Sequence, residues 1–236
     1  MNETEDFVEQ TLTSWKASLF RKIEVGGLLA RSHVAHKWKA PWRSLMLREA
    51  VFWRLHDLLT QSHTLFQAGH VLGARILLRS SFETLAILVY LNQMMRKVLD
   101  GALSFHAFSE KTSQLLLGSK DKSTSHEAVN ILTVLNHCDK RYPGLLKLYG
   151  DLSESAHPNY EGICIGYSTV DHDSHETNFA NRWSQMYGGT HLQSMRACMV
   201  LFEAEYNDVW SIQFEELERW IEANDTELEA TRGTSG

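Results

Sequence analysis

Proline is nearly missing from this sequence. There are three in 236 residues, at Pro41, Pro143 and Pro158. With so few helix breakers and seven tryptophans, the composition favours long helices with bulky packing. Cysteine is equally scarce. Cys138, Cys164 and Cys198 are isolated, odd in number and form no Cys-x-x-Cys, which excludes a disulfide framework and makes a reducing cytoplasm the expected location. No run of eighteen apolar residues is free of charge, so no membrane span is expected. The acidic opening MNETEDFVEQ does not read as a signal peptide. Gly-x-Gly-x-x-Gly, Walker A, His-Glu-x-x-His and Gly-x-Ser-x-Gly are all absent, which removes the familiar nucleotide-loop, zinc-protease and hydrolase signatures. No internal repeat or low-complexity segment is present.

What is present suits a globular chain with a sizeable core: 43% hydrophobic and 22% charged residues. The net charge of −6 gives no global attraction to nucleic acid. Its distribution is uneven. Residues 16–54 hold nine Lys/Arg (Lys16, Arg21, Lys22, Arg31, Lys37, Lys39, Arg43, Arg48, Arg54) against Glu24 and Glu49, whereas residues 203–229 hold ten acids and one Arg. Charge runs are most often solvated faces, here two that attract each other within a dimer. The alternative is a basic patch facing phosphate.

The periodicity predicts a helix over Asp6–Arg21, interrupted by Gly26-Gly27, and a connector over His33–Trp42 ending at Pro41. Helix resumes from Leu45 to about Ala68, stops at Gly69, and runs again from Val71 to Leu99. Further helices are expected over Phe105–Leu117, from an N-cap at Ser125 to Asp139, and between Pro143 and Pro158. Gly118–Ser125 reads as a flexible loop. Ile163–Val170 is the one β-like run, giving a short irregular or hairpin excursion, with Asp171–Thr177 a polar loop. Asn178–Tyr187 and Thr190–Ala223 complete the set, and residues 224–236 are expected to form a flexible tail. The sum is about seven helices in an all-α, single-domain bundle over residues 1–223.

Within that pattern, GARILLRSSFETLAILVYL (73–91) carries Arg75, Arg79 and Glu83 at four-residue spacing, so the three share one helix face. Ile76, Leu77, Leu78, Phe82, Leu85, Ile87, Leu88, Val89 and Leu91 cover much of the remaining cylinder. A helix apolar almost all round is buried, and buried charge is costly unless paired. Three readings stay open: an interhelical ion network, an exposed stripe, or an Arg pair that binds an anion with Glu83 orienting it. A second polar stripe lies in LYGDLSESAHPN (148–159), where Tyr149, Ser153 and His157 are four apart and His157 stands at a helix end before Pro158. Two polar stripes in a bundle would most economically face each other.

An RSSFE-type helix followed by a YxxLSxxxHPN-type helix end resembles a group of uncharacterised bacterial helical proteins of the HEPN-like superfamily. The resemblance covers about Ala68–Thr169. It implies a dimer of metal-independent ribonuclease type acting in defence or stress response, with no cofactor. His157 would assist attack of a ribose 2′-hydroxyl, an arginine would stabilise the phosphorane, and Ser153, Tyr149 and Asn159 would line the binding site. The superfamily signature places an Arg four to six residues before the His. Here positions 150–153 are Gly, Asp, Leu and Ser, so ribonuclease chemistry would take its arginine from elsewhere, with Arg75 or Arg79 the candidate and Glu83 beside it; the departure also fits an inactive member that binds a nucleotide or a partner protein instead.

Two other readings compete. One is a non-catalytic module that binds a protein partner through the acidic last helix or the basic 16–54 segment. The other is a carboxylate–His metal site: Glu154-x-x-His157 has di-iron spacing but occurs once, and the loop Asp171–Glu176 is rich in ligand types. His56, His63 and His70 share a face at heptad spacing, but they lie about 10 Å apart along the axis, too far for one ion to use all three.

Overall fold

A computed structural model describes residues 3–232 as an all-α helical bundle with one short hairpin. The order is α1 (Glu3–Ser18), α2 (Val25–Arg31), a 3-10 turn (Ala35–Lys37), α3 (Lys39–Gln67), α4 (Val71–Leu99), α5 (Phe105–Leu117), α6 (Ile131–Arg141) and α7 (Leu145–Ala156). A π-helical turn (Tyr160–Ile165) follows, then β1 (Ser168–Asp171), β2 (Glu176–Phe179), α8 (Trp183–Tyr187) and α9 (His191–Glu203). A second π-helical segment (Ala204–Val209) leads into α10 (Trp210–Ala230). No helix among the described residues is long and apolar enough to cross a membrane.

The chain packs as two compact units. The first holds the described residues of Met1–Ser18, with Trp53–Leu85 and Asp139–Val200. The second holds Leu19–Phe52, Ala86–Cys138 and the described residues of Leu201–Gly236. In the first unit α1 buries Val8, Leu12 and Trp15 at helical spacing. The central stretch of α4 buries Ala74, Leu78, Phe82 and Leu85 completely. Gly69 ends α3 with φ of 78°, the left-handed conformation that glycine adopts without strain. The amide of His70 then bonds back to the Leu65 carbonyl at 2.8 Å and that of Gly69 to Phe66 at 2.9 Å, closing the helix end so that α4 can start at once.

In the second unit parts of the basic and acidic runs meet within the chain. Arg31 and the His36 imidazole both reach Glu218. Lys37 bridges Asp225 at 2.6 Å and Glu229 at 2.9 Å, and Trp38 Nε1 donates to Asp225 at 3.0 Å. Arg48 lies 3.4 Å over the Tyr206 ring and pairs with Glu49. Two cations of the basic run, Arg31 and Lys37, thus pair with three acids of the last helix.

The element boundaries differ from expectation for identifiable reasons. Gly26 and Gly27 lie inside α2 and do not end a helix. Pro41 sits in the first turn of α3, where its missing N–H costs nothing, so the helix begins at Lys39 and not Leu45. α6 starts at Ile131. Ser125 does not cap it, because Thr124 and Ser119 organise that loop and Ser119 bridges Glu127. Ile163–Val170 divides into π turn and strand, and β1 pairs antiparallel with Glu176–Phe179, a segment expected to be the end of a loop (Glu176, Thr177) and the start of a helix (Asn178, Phe179). α10 runs to Ala230, so the part of the expected tail from 224 to 230 is helical. Residues 233–236 lie outside the described residues.

Candidate functional site

The two polar stripes meet in part, in the first unit: Arg79 and Glu83 face Ser153 and Tyr149, whereas Arg75 and His157 do not pair across the stripes. Arg79 Nε donates to Ser153 Oγ at 2.9 Å and Arg79 Nη2 to the Tyr149 hydroxyl at 2.6 Å. The phenol donates in turn to Glu83 Oε1 at 2.9 Å, and Arg79 Nη2 lies 3.2 Å from the same carboxylate. Ser153 gives its own proton to the Tyr149 carbonyl. The two hydroxyls therefore have fixed directions: phenol and serine each accept from arginine and donate elsewhere. Burial, then the bond to Glu83, raise the Tyr149 pKa above its ordinary value, so the phenol keeps its proton.

One turn earlier on α4, Arg75 repeats the motif with different partners. Its Nε donates to Ser155 Oγ at 2.8 Å and its Nη2 to the Asp151 carbonyl at 3.0 Å. Its guanidinium lies 3.6 Å from the Tyr187 ring centroid, a cation–π contact. Ser155 passes its proton to Glu161 Oε1 at 2.8 Å, and Glu161 also bonds Tyr187. Burial and that bond push the Tyr187 pKa up to about 12. Arg75 is 5% exposed, and desolvation lowers its pKa.

Local folding explains how these partners arrive. The π turn Tyr160–Ile165 carries Glu161 back toward α7, and Asn159 caps it by accepting from the Gly162 amide at 2.9 Å. The turn ends at Gly166, where a Cβ would stand 2.6 Å from the Trp183 indole; only glycine allows that approach. Trp183, 1% exposed, stacks on Tyr187 at 5.8 Å, which fixes the ring under Arg75. Arg182 holds the hairpin base by donating to the Ile165 and Ser168 carbonyls.

The remaining site residues are placed differently. His157 is the C-cap of α7. It is exposed, its imidazole makes no hydrogen bond to the described residues, and it lies outside both arginine networks. Asn159 donates to Glu154 as well as capping, so its side chain is committed to the backbone turn. The Asp171–Glu176 loop is the hairpin turn: Asp171 Oδ1 accepts from the amides of Asp173 and Ser174. Ser155, Glu161, Tyr187 and the Asp151 carbonyl were not singled out in the sequence. Ser155 and Glu161 sit inside or beside SESAHPN, but no periodicity linked them to Arg75, and Tyr187 gave no signal beyond being aromatic.

A buried histidine adjoins the sealed half. His191, fully buried at the start of α9, stacks on Phe66 at 4.9 Å and lies 3.2 Å from Ser62 Oγ. Ser62 gives its proton to the Ala74 carbonyl, so His191 Nε2 is the donor, and Nδ1 keeps a lone pair without a partner. Burial, with Arg75 and His63 nearby, lowers the His191 pKa to about 4.

The chemistry available at the seam is thus two arginines of unequal access. The side chains of Arg79 and Glu83 are 25% and 24% exposed, and Arg79 Nη1 makes no hydrogen bond to the described residues. Arg75 is enclosed and saturated on the Nε and Nη2 edge. No family model, no curated protein and no solved structure matches this chain.

Proposed function

We propose that the protein binds a phosphate group of RNA or a nucleotide at the open half of the α4–α7 seam, as a HEPN-like protein with metal-independent ribonuclease chemistry. The observation that carries the reading is Arg79. It is oriented by Ser153, Tyr149 and Glu83, is partly exposed, and has one guanidinium nitrogen uncommitted. A planar, permanently charged donor held in place by other bonds is suited to a phosphate oxygen. His157, the cap of α7 one turn beyond Ser153, supplies the acid–base group. In the proposed step its imidazole takes the 2′-hydroxyl proton while the 2′-oxygen bonds to phosphorus. The bond to the 5′-oxygen breaks and that oxygen takes a proton from water, the imidazolium later returning its own to solvent, leaving a 2′,3′-cyclic phosphate and a 5′-hydroxyl. Arg79 Nη1 stabilises the charge on the phosphorane. Homodimer formation and a role in bacterial defence or stress response belong to the same reading.

The non-catalytic module is the second reading, and a specific observation favours it. No hydrogen bond from the described residues orients the His157 imidazole, whereas a working general base is ordinarily held by a third group. Incubating labelled single-stranded RNA with the protein in EDTA separates the two. Cleavage that disappears in His157→Ala at unchanged melting temperature supports catalysis. Binding without cleavage, weakened by Arg79→Ala, keeps phosphate recognition at the seam but removes the ribonuclease step. RNA and nucleotides that neither bind nor react would contradict the first reading and leave the protein-binding module.

A further inference from the structure

The heptad histidines of α3 face α1. His56 Nε2 donates to the Leu12 carbonyl at 3.2 Å, and His63 meets Glu5 and Glu9. The two contacts fix α1 antiparallel to α3 and set two i,i+4 pairs against each other: Glu5 and Glu9 on one helix, His63 and Gln67 on the other. All four belong to the first unit.

From this arrangement we infer that Glu5, Glu9 and His63 form a binding site for a single zinc ion that ties α1 to α3. One donor atom from each of the three lies within 4.8 Å of the others. A tetrahedral zinc with N and O ligands at about 2.0–2.2 Å holds them roughly 3.4 Å apart. Rotation of two half-exposed side chains and one exposed one covers that difference, with no movement of either helix.

The lone pairs already converge. Gln67 Nε2, which can only donate, bonds both Glu5 Oε1 and His63 Nε2, the latter at 3.3 Å. His63 Nε2 therefore accepts, its ring proton sits on Nδ1, and the neutral tautomer presents the nitrogen a metal requires. One amide nitrogen stands where carboxylate and imidazole lone pairs point together, which is where a cation would sit. The donor set selects among cations. One imidazole with two carboxylates suits zinc, whereas magnesium and calcium prefer oxygen alone. Three protein ligands leave a fourth position for water, and that position faces solvent beside Glu9.

The test is calorimetric titration of zinc chloride into full-length protein freed of metal with chelator. One ion should bind per chain. His63→Ala and Glu9→Gln should each weaken binding at least tenfold, and millimolar magnesium should not compete. Gln67→Ala should bind as tightly as the parent or tighter, because the competing amide is gone. Glu9 is exposed, so Glu9→Gln reports on binding even if His63→Ala perturbs folding. The absence of saturable binding overturns the site. So does an affinity that survives both substitutions, which would place the ion on another of the twelve histidines.

Discussion

Arg75 and Arg79 are the same residue type, one turn apart on one helix, each with its Nε on a serine of α7. Their surroundings nevertheless differ in kind. Around Arg75 the π turn and α8 close over the guanidinium with Glu161 and Tyr187, and the result is a brace. Around Arg79 no element closes over the pair, and a quarter of the side chain stays in water. What separates a structural charge from an available one here is the second layer, supplied by residues 161–187, rather than the stripe itself.

The difference can be broken from the sealed side first. Arg75→Ala removes a buried, multiply bonded charge and leaves Ser155 and the Asp151 carbonyl short of a partner. The expected loss is roughly 3–5 kcal/mol in urea unfolding. A comparable change comes from acid. The folded-state pKa of His191, near 4, lies below its unfolded value near 6.5. Between these values the unfolded chain binds more protons, so stability rises with pH across the window and is lost as pH falls through it. The slope reaches about 1.4 kcal/mol per unit, summing to roughly 3 kcal/mol. Unfolding curves of His191→Phe between pH 4 and 7 should be flatter than those of the parent. Ser155→Ala, which leaves Arg75 Nε and Glu161 each missing one bond, should cost about 1–3 kcal/mol.

The open side should respond in the opposite sense, with small stability changes and large changes in binding. Arg79→Ala is expected to cost about 1 kcal/mol, since the pair it breaks is partly solvated, and to weaken RNA binding. His157→Ala should leave the unfolding midpoint within about 0.5 kcal/mol of the parent, because its imidazole bonds nothing. In the ribonuclease reading it abolishes cleavage.

The seam was legible in the sequence because helical periodicity is strong. Four-residue spacing placed Arg75, Arg79 and Glu83 together, and the same rule placed Tyr149 and Ser153. His157 follows the rule in spacing, but as the cap of α7 its backbone leaves the helix, and the rule ends there. Ser155 was not legible because it lies two residues from Ser153, off the expected face. Glu161 and Tyr187 come from a π turn and a short helix beyond a hairpin, whose packing depends on Gly166 against Trp183, a long-range contact without sequence period. The charge runs show a related limit. Arg31 and Lys37 find Glu218, Asp225 and Glu229 nearly two hundred residues away, and composition alone cannot say that such charges neutralise each other within one chain.

The most direct test of the division is a fluorescence-anisotropy titration of labelled single-stranded RNA at fixed salt, comparing the parent with Arg79→Gln, alongside melting curves of both. The account predicts saturable binding by the parent, at least tenfold weaker binding by the variant, and melting temperatures that nearly coincide. Equal binding by the two proteins, or a variant that loses stability as Arg75→Ala does, would contradict it.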